Sequence, residues 1–104
     1  MATHTWRSGR AVSITVELPT ALQSYARARS VVELAEPCET VADVLDALSA
    51  HCPGVVDRVL TEQGEVREHV NVFVGEESIR YLGGLAAAVA DGDTIVIVPA
   101  VSGG

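Results

Sequence analysis

The residues with most to offer chemically are two glycines, Gly103 and Gly104, in the closing stretch "VPAVSGG". Glycine has no Cβ, so a pair of them passes a narrow channel, and a carboxyl carbon on the second is sterically open to attack. The run "TIVIV", residues 94–98, reads as a strand, and Pro99, which has no amide proton to donate to a ladder, predicts its end. Residues 99–104 then form an arm, Val101 and Ser102 included, that reaches about 20 Å when extended. That is long enough to enter another protein's active site. The plainer reading is a frayed end, since termini are commonly glycine-rich and loosely held. The rest of the chain has to decide between the two.

No second site competes with the arm. Cys38 and Cys52 fit no metal or redox spacing and read as reduced, semi-buried thiols. His4, His51 and His69 are scattered, and His51 and Cys52, being adjacent, do not share a helix face, so no metal site is expected. No histidine–acid arrangement can be placed around Cys52 to make it a nucleophile. Asp91 and Asp93 flank Gly92 and shape a turn. The expectation is a protein with no catalytic residues and no bound cofactor.

Composition narrows the partners. The 104 residues carry a net charge of -7, and all seven positive charges are arginines. A chain this acidic does not neutralise nucleic-acid phosphates, and one without lysine has neither a Walker-type loop nor a Schiff base. An acidic surface favours a partner with a positive rim. With 48% apolar and 20% charged residues, the chain is expected to fold as one packed domain over residues 11–98, between an N-terminal extension at 1–10 and the arm. "MATHTWRSGR" is polar and "AVSITVEL" is interrupted by Ser13, Thr15 and Glu17, so neither a signal peptide nor a membrane span is expected, and the location implied is the cytoplasm.

The elements that must position the arm follow from periodicity. Val12, Ile14, Val16 and Leu18 alternate with polar residues, a strand with one buried face. "SVVELA", residues 30–35, offers a second strand, joined to the first by a long connection. Thr40 is placed as a helix N-cap with Asp43 in the capping-box position, and Val41, Val44, Leu45 and Leu48 recur as one apolar stripe. That helix should stop near His51, before Pro53-Gly54, with "VVDRVL" adding a further turn or two. "VNVFVG", residues 70–75, is the next strand, with Phe73 on the face opposite the valines. "GEES" reads as a turn, "IRYL" as a short strand or extended segment, and "GGLAAAVADGD" as a loop with one helical turn before the last strand. The class is α+β: a mixed sheet of about four to five strands covered on one face by one main helix. If the first and last strands lie parallel, this is a β-grasp, the ubiquitin-like fold.

That order, with "ADGDTIVIVPAVSGG" and the Gly103-Gly104 pair, resembles the ubiquitin-like sulfur carriers of the MoaD and ThiS family. The stretch "VNVFVGEESIRYLGGLAAAVADGDTIVIVPAVSGG" is most similar to the branch that serves actinobacterial cysteine biosynthesis. The resemblance implies that Gly104 is the reactive position. Its carboxylate would be adenylated by an ATP-using MoeB/ThiF-type adenylyltransferase/sulfurtransferase, related to the ubiquitin activators, and the glycyl adenylate converted to 1-thioglycine, a thiocarboxylate. The implied acceptor is a PLP-dependent cysteine synthase, with a JAMM-type metalloprotease cutting the adduct. The same family also holds small subunits of molybdopterin synthase, and the fold serves ubiquitin-like protein modifiers; both remain open. By analogy with ubiquitin, Ile95 and Ile97 should face the helix and Val96 and Val98 face away, where with Phe73 they would form a docking patch.

Overall fold

The computed structural model describes residues 13–99. Its elements, in chain order, are β1 (Ile14–Glu17), α1 (Thr20–Gln23), β2 (Val31–Leu34), α2 (Val41–His51), α3 (Pro53–Val59), β3 (Val70–Val74), β4 (Glu77–Ser78) and β5 (Thr94–Pro99). The strands form one five-stranded sheet in the order β2-β1-β5-β3-β4. β1 lies parallel to β5, with Val16 beside Ile95, and antiparallel to β2, with Val16 beside Val32. β5 is also antiparallel to β3, where Ile97 meets Val72. First and last strands are therefore central neighbours, the β-grasp arrangement expected from the sequence.

α2 forms where the sequence places it because its start is capped twice. Thr40 Oγ1 accepts from the Asp43 amide at 3.3 Å, and Asp43 Oδ2 accepts from the Thr40 amide at 3.2 Å, which satisfies donors that the first turn leaves without helical partners. Val41, Val44, Leu45 and Leu48, one side of the helix, are all buried. α3 follows at once, with Pro53 at its first turn, where a missing amide proton costs nothing, and buries Val55, Val56 and Val59. The core lies between these helices and one sheet face: Ile14, Val16, Val32, Leu34, Val72, Ile95 and Ile97 are each at most 2% exposed.

Three local expectations are corrected. β4 occupies Glu77–Ser78, inside the stretch read as a turn; the turn itself is the Gly75-Glu76 pair, and Gly75 has a φ of 63° that a side chain would strain. "IRYL" is a 3₁₀ turn over Ile79–Tyr81 and not a strand, because Ser78 Oγ caps it by accepting from the Arg80 amide at 3.2 Å. Leu18 is buried but lies just past β1, which ends at Glu17; Val12 lies outside the described residues.

The long β1–β2 connection holds structure that the sequence did not announce. After α1 and a 3₁₀ turn over Ser24–Ala26, Arg27 and Ala28 both adopt left-handed φ values of 59° and 65°. The Ala28 amide donates to Gln23 O at 2.8 Å and the Arg29 amide to Ala26 O at 3.1 Å, so the pair closes the helical run in the manner of a C-cap and turns the chain back toward β2. Tyr25 from this connection lies against α3. A Cβ on Gly54 would stand 2.8 Å from its ring, and the Arg58 guanidinium sits 4.5 Å above the ring centroid.

Leu48, with no exposed surface, sits midway along the buried stripe of α2. Leu48→Ala is expected to cost about 2–5 kcal/mol, the lost transfer energy plus the cavity left behind. Urea unfolding checks this, and a cost below about 1 kcal/mol would mean that α2 is not packed through this face.

Candidate functional site

Among the described residues no helix lies over the second face of the sheet, which is built from the residues that alternate with the core. One row crosses all five strands: Val31 beside Glu17, Glu17 beside Val96, Val96 beside Phe73, and Phe73 beside Ser78. The neighbouring row places Val98 opposite Asn71, and another places Glu33, Thr15 and Thr94 together. Phe73, Val96 and Val98 are each half-buried, while Ile95 and Ile97 are buried on the helix side. The orientation expected for β5 is thus the one found, and Phe73 and Val96 are brought into direct cross-strand contact, the spacing at which aromatic and β-branched side chains pair.

Sequence periodicity alone does not reveal Glu17. It alternates to the outer face of β1, but only the parallel register of β1 on β5 sets it next to Val96, at the margin of the apolar pair. The charged side chains on the strands of this face, Glu17 and Glu33, are both acidic, so the patch is apolar with a negative border. Gly103, Gly104, Ser102 and Val101 lie outside the described residues; β5 leads toward them from Pro99, which pairs with Val70 at the start of β3.

The cysteines do not join this face. Cys38 and Cys52 are 1% and 2% exposed, on the helix side. Burial pushes the Cys38 thiol up, and the Asp43 and Glu36 carboxylates add to the rise, so it is a weaker nucleophile than a free cysteine. Cys52 Sγ accepts from Arg29 Nη2 at 3.5 Å, a packing contact at the junction of α2 and α3. Among the described residues no cluster of His, Cys, Asp and Glu is able to hold a metal ion, and no helix is long and apolar enough to cross a membrane.

The sequence profile of the ThiS family matches residues 16–104. The chain belongs to the ThiS family. Members of this family are sulfur carriers and ubiquitin-like modifiers. Over 95 residues the chain is 35% identical to the sulfur carrier protein CysO of Mycobacterium tuberculosis, covering 89% of this chain and all of that protein. It is also 36% identical over 83 residues to small archaeal modifier protein 1 of Haloferax volcanii, 80% of this chain and 91% of that one. A chain in the crystal structure of the Amycolatopsis orientalis BexX/CysO complex superposes with a TM-score of 0.79 at 36% identity, over 88% of this chain and 99% of that chain. This ThiS-family chain thus shares both sequence and fold with carriers along nearly their whole length.

One titratable pair stands apart from the open face. His51 Nε2 lies 2.6 Å from Glu36 Oε2 at the surface, and the hydrogen bond to the imidazole holds the Glu36 carboxyl below the usual carboxylate range. A depressed carboxyl stabilises the fold above its unfolded value and loses that contribution as pH falls through the folded one. His51→Ala is expected to return Glu36 toward the ordinary glutamate range, read from the carboxyl carbon shift in an NMR titration. An unmoved Glu36 titration would mean that His51 is not what holds it down.

Proposed function

We propose that this chain is a sulfur carrier whose cargo is held on the carboxylate of Gly104. The observation that carries the reading is the ThiS-family match running through residue 104, where it takes in Gly103 and Gly104, which follow in sequence the strand β5 that the fold holds at the centre of its sheet. A carboxylate is a poor electrophile. A MoeB/ThiF-type enzyme would let a Gly104 oxygen attack the α-phosphate of ATP, with pyrophosphate leaving and a glycyl adenylate forming. Sulfide then displaces AMP at the carbonyl carbon and leaves 1-thioglycine directly; a persulfide would leave an acyl disulfide instead, from which a second thiol, attacking the outer sulfur and keeping it as a disulfide, frees 1-thioglycine. Gly103 serves passage: a side chain there would widen the arm and restrict φ.

The open sheet face is the handle by which enzymes hold the carrier while the arm is in use. Phe73 and Val96 form its centre and Val98 leads along β5 toward the arm, so a protein seated there lies at the root of the arm. The likeness to CysO over nearly the whole chain favours cysteine biosynthesis as the destination, with a PLP-dependent cysteine synthase as acceptor and a JAMM-type metalloprotease to free the product. The likeness to small archaeal modifier protein 1 supports a second reading, in which Gly104 is joined to target proteins; high-mass conjugates in extracts of the source cells would mark it.

Incubation with a cognate activating enzyme, ATP and a sulfur donor is expected to add the mass of one oxygen replaced by one sulfur, localised to Gly104 by fragmentation. Cys38→Ala and Cys52→Ala, confirmed as folded, should keep the gain. Deleting Gly104 should abolish it, and Gly103→Val should slow it. Sulfur found as a persulfide on either cysteine, or carried by the chain without Gly104, would overturn the proposal.

Docking has its own test. Phe73→Asp sets a charge into the contact that a partner must desolvate, and is expected to weaken binding to the activating enzyme by at least about tenfold, a loss of roughly 1.4 kcal/mol or more. Its unfolding midpoint should stay close to that of the parent, since Phe73 is not in the core. Equal affinity from a folded variant would remove Phe73 from the docking surface.

A further inference from the structure

The sheet has a second unclaimed feature, at its β3 edge. β4 pairs only with Phe73 and Val74, so residues 70–72 of β3 form the outer edge of the sheet. The Gly75 amide donates toward β5, to Thr94 O at 2.8 Å. In an antiparallel ladder the main-chain groups alternate sides, so those of Val70 and Val72 face outward, away from β5; the Val70 amide is used within the chain, donating to Arg67 O at 3.0 Å, so at that residue the carbonyl is the group offered to a partner strand. Beside them runs a groove of about 280 Å³ whose walls include Val66, Val70, Val72 and Ile79, with Arg67 and Arg80 along it.

The charge lining this groove is opposite in sign to the net charge of the chain. The chain carries -7 overall, yet the ionic side chains lining the groove are two arginines against one carboxylate, Glu68. The Arg67 guanidinium is committed, its Nε and Nη2 donating to Asp57 O at 3.2 and 3.0 Å. Arg80, exposed on the 3₁₀ turn next to the edge, has its main-chain amide tied to Ser78 and lines the groove. Natural sheets protect uncovered edges or use them to add a strand.

We propose that this groove seats an extended acidic segment of a partner protein, which lies along residues 70–72 as an added strand, sets apolar side chains against Val66 and Ile79, and brings a carboxylate to Arg80. Val70 both lines the groove and pairs with Pro99, so the segment would sit beside the root of the arm, on a surface distinct from Phe73 and Val96. An acidic segment here and a positive rim over Glu17 and Glu33 would give a partner two contacts of opposite sign and so fix its orientation on the sheet.

The unloaded chain suffices for the test, so its outcome is separate from that of sulfur loading. A peptide of alternating valine and glutamate, titrated to about millimolar and followed by amide NMR shifts, is expected to move Val70, Val72, Ile79 and Arg80. The same peptide with lysine in place of glutamate should leave them unmoved. Arg80→Glu should weaken the glutamate peptide about tenfold or more, as expected for loss of a charge-assisted hydrogen bond, and admit the lysine peptide. Shifts centred on Phe73 and Val96, equal binding of both peptides, an affinity indifferent to Arg80→Glu, or no shift at all would each overturn the proposal.

Discussion

The parallel pairing of β1 with β5 is the constraint on which the other features depend. Parallel neighbours cannot be joined by a tight turn, so the chain between them must cross over the sheet, and here the crossover carries α2 and α3. The helices in turn need an apolar surface, which the register supplies by lining up Val32, Val16, Ile95 and Val74 on one face. Since side chains alternate along a strand, the same register puts Val31, Glu17, Val96 and Phe73 on the other. A slip of one residue between β1 and β5 would exchange Ile95 for Val96 and set Glu17 against the core. Burial of the helices therefore fixes the composition of the open face.

The parts of this arrangement that the sequence showed are those governed by local chemistry. Thr40 and Asp43 announced the start of α2 because a capping box is a matter of two side chains three residues apart. Val41, Val44, Leu45 and Leu48 announced its buried side, and alternation announced the outward face of β3, whereas β5 is apolar on both faces and its outward residues came from the analogy with ubiquitin. The elements between Leu18 and Val31 were not legible. The left-handed residues that close the helical run there are Arg27 and Ala28, where glycine or asparagine would have been the signal, so nothing in the residue types marked the turn. "IRYL" was misread for a related reason: its Ile and Tyr favour strands, but the Ser78 cap outweighs a preference worth about 1 kcal/mol at most.

Glu17 shows how site residues differ from core residues in legibility. Its outward direction follows from β1 alone, whereas its neighbour Val96 is contributed by a strand roughly as far away in sequence as the chain allows. The same holds for the β3 edge, where Arg67 precedes the strand and Arg80 follows its hairpin. Neither groove nor patch has a motif, because each is an intersection of elements. The Gly103-Gly104 pair is the opposite case, a chemical feature readable from residue type and lying outside the described fold.

In the proposed function the fold and the chemistry are kept apart for a physical reason. A thiol carrying sulfur must be exposed and ionised to exchange it, and Cys38 and Cys52 are neither exposed nor, in the case of Cys38, eased toward ionisation. Both instead belong to the buried core, where a polar or charged cargo would cost several kcal/mol to bury. A main-chain carboxylate at the end of a glycine arm has no such conflict, since it needs no cavity in its own domain. It borrows the active site of whichever enzyme grips the sheet. The carrier then has to supply only two things, a central strand firmly held up to Pro99 and a surface that different enzymes can hold. Both are consequences of the parallel β1–β5 pair, which buries β5 between two strands and leaves alternate residues of it on the open face.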